Sequence, residues 1–411
     1  MNPVLALALL AIAGLLATRL PRPSIPRSPT LELLLAGGAP LVLLGLVLGP
    51  GIGALDGATL AAVAPLTALV VGWVGARLGA RCEWRLLRRV PKETWSVVAA
   101  QAVAGAGMAF LAAWVGTKLV PALATAWAPR LPAALTLGAV AIMPGARPME
   151  RAVRAAGLAP GLIRRLRRIA LVNAACGTVV CAIALGLGHP RAGGVLPAWL
   201  TGLTLEVGVG ALVGALFVGL SRRARADDAL GFALMAVVLF GAGLAYAAGF
   251  SPFLVCALAV ALIVNLSPHR RRVRTLLGMW ERPTYEMLLL VAGATLALPT
   301  LWVLAAAPVL AVLRVIAQWS TVRSGLAYLP GTGLPPAAGL ASVAQGGSAL
   351  ALGLSFALAR GIGGGAVLTT IALGAFLTQA AAPSLMRLAR GAPPLTRAPL
   401  PPELSPHSSP D

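Results

Sequence analysis

Acidic side chains are the groups in this chain best able to bind a cation or carry a proton, and they are scarce where it is most apolar. Glu206 is the exception, set near the middle of "LTGLTLEVGVGALVGAL". A carboxyl at that depth in a membrane is costly, so by default it is read as functional, here as a candidate proton carrier. It could equally be a protonated acid hydrogen-bonded between helices, or an outer-half residue facing water. Glu32 and Glu286 begin apolar runs and are expected at the interface, solvated or paired with arginine. The uncharged polar groups inside apolar runs are Gln101, Asn173, Thr178, Gln318, Gln345, Ser348 and Gln379. Most such residues hydrogen-bond between membrane helices.

Other chemistries find little support. Cys82, Cys176, Cys181 and Cys256 form no Cys-x-x-Cys pair, and His189, His269 and His407 fall in connections or the tail. Neither a metal site nor a cofactor is expected. The apolar runs hold no histidine, no paired carboxylates and no Ser/His arrangement, which argues against an enzyme. The net charge of +21, from 33 Lys and Arg against 12 Asp and Glu, could suggest nucleic acid. The basic residues sit instead in short connections, where membrane topology requires them, so no nucleic-acid partner is expected.

The elements that must position these groups are membrane helices. Of 411 residues 58% are hydrophobic and 11% charged, against roughly 25% charged in a soluble domain. The chain therefore reads as an all-α polytopic membrane protein, its partner the lipid bilayer. Spans are expected near 3–19, 31–49, 58–78, 95–117, 132–146, 168–188, 195–220, 229–249, 252–267, 284–299, 300–316, 333–358 and 364–386, about 13 in all. All basic residues but Lys118, Arg130, Arg191 and Arg360 then fall in, or at the span ends bordering, odd-numbered connections or the C-terminal tail. The positive-inside rule places the N-terminus outside and the C-terminus in the cytoplasm of an inner (plasma) membrane. The first run lacks a basic n-region and reads as a span, not a signal peptide. Residues 1–390 form the transmembrane domain, and 391–411, rich in Pro and Ser, a disordered cytoplasmic tail.

Two spans are interrupted. "ALTLGAVAIMPGARPMERAVR" stops at Pro144-Gly145, and "LPPAAGLASVAQGGSALALGLSFALAR" carries Gly346-Gly347 between Gln345 and Ser348. Proline removes a backbone donor, and the carbonyls it frees must find partners in protein or a water-filled cavity. The fifth and twelfth spans cross in opposite directions. Opposed interrupted helices point to an inverted-repeat transporter with a mid-membrane site, with repeats of about 31–190 and 229–386 and a linker helix at about 195–220. The basic, amphipathic "MERAVRAAGLAPGLIRRLRRIA" fits an anionic leaflet surface, contact with a partner, or a plain charged connection.

Four segments in order resemble parts of the monovalent cation:proton antiporter superfamily, the sodium/hydrogen exchanger-like proteins. They are "LLLAGGAPLVLLGLVLGPGIGAL", "VGARLGARCEWRLLRR", "GFSPFLVCALAVALIVNLSPHRRRVRTLL" and "ASVAQGGSALALGL". The resemblance implies a core with two crossed, unwound helices, a second domain that dimerises into a homodimer, and alternating access to a monovalent cation or small solute. It also implies a carboxylate in the sixth span, and "RIALVNAACGTVVCAIALGLG" has none. Its counterparts are Asn173-Ala174, or Gly177-Thr178 in an alternative register. The family's Thr-Asp-Pro becomes Met143-Pro144-Gly145, its basic residue in the twelfth span Gln345, and the following Glu Gly347. By this resemblance every charge at the centre is neutralised, leaving Asn173, Thr178, Gln345 and Ser348 as candidate site residues. Two readings remain open: a secondary transporter whose proton coupling is in question, or a pseudo-transporter kept as a membrane scaffold or sensor.

Overall fold

The computed structural model describes residues 34–35, 37–157, 160–187, 197–221, 227–328 and 338–389. The expected first span, the tail and Glu32 lie outside the described residues. Those described form helices and connections, with no strand among them. The principal helices are α1 (Ala39–Leu46), α2 (Ala64–Gly79), α3 (Lys92–Leu119), α4 (Arg130–Ala141) and α5 (Ala146–Ala155). They continue with α6 (Pro160–Gly186), α7 (Ala198–Ser221), α8 (Asp227–Ala248), α9 (Pro252–Leu266) and α10 (Glu281–Ala294). The last are α11 (Leu301–Tyr328), α12 (Ala338–Ala341), α13 (Gly347–Arg360) and α14 (Ile362–Leu388). Six of these, α3, α6, α7, α8, α11 and α14, contain stretches long and apolar enough to cross a membrane.

Both expected interruptions are present. The fifth span ends as a half-helix at Ala141 and resumes as α5, while the twelfth is divided into α12 and α13 by residues 342–346. The eleventh differs from expectation. It runs to Tyr328 rather than ending near residue 316, because the apolar pattern resumes beyond Arg314 in "VIAQWSTV". The basic segment after the first break forms α5, one face of which packs into the protein. Met149, Ala152 and Val153 of α5 are buried and join an apolar cluster with α6, α11 and α14.

The helices pack in two groups. One comprises α3, α4, α6, α11, α13 and α14, and the other α2, α7, α8 and α9, with α1 paired to α10. They meet where α2 and α10 pack on α13 and where α6 packs on α7. Within the second group α2 and α9 approach backbone to backbone. A Cβ added at Gly75 would stand 2.1 Å from the Phe253 carbonyl oxygen, and one at Gly79 2.0 Å from that of Ala257. Lipid tails are as apolar as leucine, so membrane helices gain from such close contact, and small residues allow it.

Gly79→Val should therefore force the two backbones apart and cost about 1–3 kcal/mol or more. The expected result is a lower melting temperature and loss of the monodisperse species in detergent. Gly57→Ala, whose Cβ would meet nothing within 4 Å, should leave both unchanged.

Candidate functional site at the helix crossing

The two interruptions meet. A Cβ at Gly145 would lie 2.6 Å from the Gly346 nitrogen, so the backbones cross where only glycine fits. Neither glycine has a positive φ. Close approach, not left-handed backbone, is what requires them.

Proline explains what happens next. A helix continuing through Pro144 would bond its nitrogen to the Val140 carbonyl, and without an N–H that oxygen is released. It keeps a turn bond from the Met143 nitrogen at 3.1 Å, and the Gln345 Nε2 donates to it at 2.7 Å and the Arg314 Nη1 at 3.3 Å. The Gly145 nitrogen turns to the Ala344 carbonyl at 2.8 Å, joining one break to the other. Arg314 serves the remaining oxygens: its Nε donates to Val343 at 3.0 Å, and its Nη2 to Ser342 at 2.8 Å and Met143 at 3.2 Å. One guanidinium thus binds four carbonyls, two from each broken helix.

Arg314 is 2% exposed. Its charge is offset by the partial negative charge that unsatisfied carbonyls carry at helix C-termini, and α4 and α12 both end here. The expectation that the centre is wholly neutral is therefore corrected, because a cation from α11 occupies it. Sequence reading missed Arg314, which lies near the expected end of its span and reads as one more topology-setting arginine. The signal was the apolar run on both sides, "LAVLRVIAQW".

Beside the crossing the first group is layered. Gly105 on α3 and Gly177 on α6 face the first break: Cβ atoms there would lie 3.0 Å from Ile142 Cγ2 and 2.6 Å from Met143 Cγ. One turn away on the same helix faces stand Gln101 (α3), Asn173 (α6) and Gln318 (α11), all buried. A further turn on are Val97, Ile169 and Val322, buried within one apolar cluster. The order is crossing, polar layer, apolar seal.

Asn173 Nδ2 donates to Gln101 Oε1 at 2.8 Å. Of the two registers for the missing acid, Asn173 faces a polar layer and Gly177 is packed under Met143. Thr178 bonds its own helix at Ala174, 2.7 Å away, and Gln345 is committed to Val140. Ser348 stands half-buried in the first turn of α13. Of the four expected site residues, only Asn173 belongs to the polar layer; Gln101 and Gln318 join it from the other polar residues noted in the spans.

Glu206 lies elsewhere. It is 1% exposed on α7, and its Oε1 accepts from the Ser251 nitrogen at the head of α9, 3.1 Å away. Its Oε2 has no partner among the described residues. Glu286 accepts from Arg282 at 2.9 Å, the arginine pairing expected of it. Glu281 at the head of α10 pairs with Arg77 of α2 and, at 2.7 Å, with Arg147 of α5. It ties the start of α5 to the second group. Nearby, Arg167 Nε donates to Glu150 Oε1 at 2.5 Å.

No protein-family model and no curated protein matches the sequence. Among solved structures the chain is similar to the sodium proton antiporter of Methanocaldococcus jannaschii determined at pH 8. The TM-score is 0.66 and the identity 15%, over 95% of this chain and 98% of that one. This likeness establishes the fold: a multi-pass membrane protein built as a sodium proton antiporter is built.

Arg314→Ala should orphan three of the four carbonyls, each at about 1–3 kcal/mol, since Val140 keeps Gln345. The variant should melt far lower than the parent, and millimolar guanidinium, below denaturing levels, should restore much of the loss. Arg314→Lys should recover less than guanidinium does, because an ammonium lacks the planar fork of donors. Absence of rescue would show that the guanidinium's carbonyl bonds are not what the crossing needs.

Proposed function

We propose that the chain is a secondary transporter working by alternating access, in which the first helix group moves against the second. It carries a small uncharged solute and does not exchange a cation for protons. The observation that carries this reading is the occupied crossing. A monovalent cation is bound by oxygens, and at broken transporter helices the unwound carbonyls supply them. Here four such carbonyls already bind Arg314. The sequence adds no carboxylate between Glu150 and Glu206. The breaks are nevertheless kept, although an uninterrupted helix would satisfy its own backbone.

With this reading go the inverted repeats at about 31–190 and 229–386, the N-out, C-in orientation in an inner membrane, and a homodimer formed through the second group. Under that orientation the apolar seal of Val97, Ile169 and Val322 lies on the cytoplasmic side of the polar layer. The Glu281 pair to Arg147 is a contact that movement of the first group must break, while its pair to Arg77 stays within the second group.

A second reading has one observation in its favour. Met143 is fully buried and seated over Gly177, so the crossing is filled, as suits a scaffold or sensor that keeps the fold without transport.

The test is proton flux in proteoliposomes under an imposed pH gradient, followed with a pH dye while Na⁺, K⁺ or Li⁺ is added. No cation-dependent dissipation is expected. Dissipation abolished by Glu206→Gln would overturn the uncharged-solute reading and make Glu206 a relocated coupling carboxyl.

A further inference from the structure

The polar layer beside the crossing contains more hydrogen-bonding capacity than the protein uses. Gln101, Asn173, Gln318 and Ser342 are each no more than 1% exposed. Among the described residues, Gln101 Nε2, Asn173 Oδ1, both amide atoms of Gln318 and the Ser342 hydroxyl have no hydrogen-bond partner. Native interiors leave few such groups unpaired, and each one calls for an explanation. Five together, on four different elements, are a site waiting for a complement.

The fold sets these residues on neighbouring turns of packed elements. Gln101 and Asn173 are bonded to each other. The Gln318 amide lies over α3 one turn further on, its Nε2 3.3 Å from where a Gly105 Cβ would stand. Ser342 accepts at its carbonyl from Arg314, which is one turn from Gln318 on α11. Glycine at 105 is what lets the Gln318 amide and Ile142 come this close to α3.

The inventory defines the ligand. The three amides offer two unpaired donating nitrogens, on Gln101 and Gln318, and two unpaired accepting oxygens, on Asn173 and Gln318. Reversing the Gln101 and Asn173 amides together exchanges which residue holds the donor and which the acceptor. It leaves the count at two and two. A primary amide is the complement of that set: its carbonyl oxygen accepts two bonds and its NH₂ group donates two. Urea has the same face. A cation would leave both donors unpaired, and Arg314 one turn away repels it. An anion would leave both acceptors unpaired.

We propose that Gln101, Asn173 and Gln318, with Ser342 beside them, form a binding site for a small neutral amide such as a primary carboxamide or urea. The site sits between the crossing and the apolar cluster that contains Val97, Ile169 and Val322. The proposal deepens the uncharged-solute transporter reading and rests on it for the site's use, though the binding itself does not.

The experiment uses the full chain in two forms. In detergent, melting temperature is followed against acetamide, urea and N,N-dimethylacetamide, the last lacking N–H donors. In proteoliposomes, stopped-flow light scattering follows entry of the same solutes and of water. The variant is Gln318→Met, which keeps the volume and removes two groups that have no partner, so folding should be preserved and is checked by size-exclusion profile. Gln101→Leu is the second variant.

Acetamide and urea should stabilise the parent and enter its liposomes faster than empty ones. Dimethylacetamide should do neither. Gln318→Met should lower both effects about tenfold, the scale of lost hydrogen bonds in a buried site. Equal binding and flux in parent and folded variants would overturn the site and leave transport standing. Binding lost in the variants with no solute flux in the parent would keep the site and overturn transport. Movement of water alone, or equal response to dimethylacetamide, would overturn the amide class.

Discussion

A broken helix inside a membrane leaves carbonyls without partners, and a buried arginine has donors and a charge without partners; in this protein each supplies what the other lacks. The Arg314 guanidinium takes one Val140 and one Met143 oxygen from the first break and the Ser342 and Val343 oxygens from the second. Neither feature would be tolerable alone, since an unsatisfied backbone group in hydrocarbon and an unpaired buried ion are both expensive. The rest of the centre is arranged around this exchange. Pro144 releases the carbonyl that Gln345 and Arg314 share, and Gly145 and Gly346 let the two chains touch. α11 must pass close enough, and in the right rotation, to present the guanidinium.

Oxygen atoms from unwound helices are a general means of holding a cation in a transporter. Here the cation is covalently part of the chain, so the oxygens are saturated whether or not anything is transported. The same logic accounts for the sixth span. Gly177 carries no side chain because Met143 of the break occupies its space, and one turn away Asn173 hydrogen-bonds Gln101 instead of ionising. Under the uncharged-solute reading no carboxylate is required at this centre. One placed beside Arg314 would compete with the carbonyls for the guanidinium and reopen both breaks.

Much of the architecture was legible because membrane helices are written in long apolar runs and their interruptions in proline and glycine. The divided fifth and twelfth spans, the separation of the tenth from the eleventh near Pro299 and the scarcity of acids were all readable as such. The role of the crossing arginine was not. Arg314 and Arg323 look alike in a count of positive charges, and only packing shows that the first lies under four carbonyls. The polar layer was half legible. Gln101, Asn173 and Gln318 were visible as polar residues in apolar runs, but their convergence depends on the rotation of three helices from distant parts of the sequence. Gln345 shows the converse difficulty: its type and position suggested a ligand, and a backbone carbonyl released by proline claimed it.

A charge that belongs to the chain cannot be released on one side of the membrane and collected on the other. Any displacement of the first group along the membrane normal carries the Arg314 guanidinium with it through the electric field. A full crossing of a 100 mV potential by one charge is worth about 2.3 kcal/mol, and a partial displacement is worth its fraction of that. Under the alternating-access reading the two end states would therefore be weighted by membrane voltage even with a neutral passenger, a negative interior favouring whichever state holds the guanidinium nearer the cytoplasm.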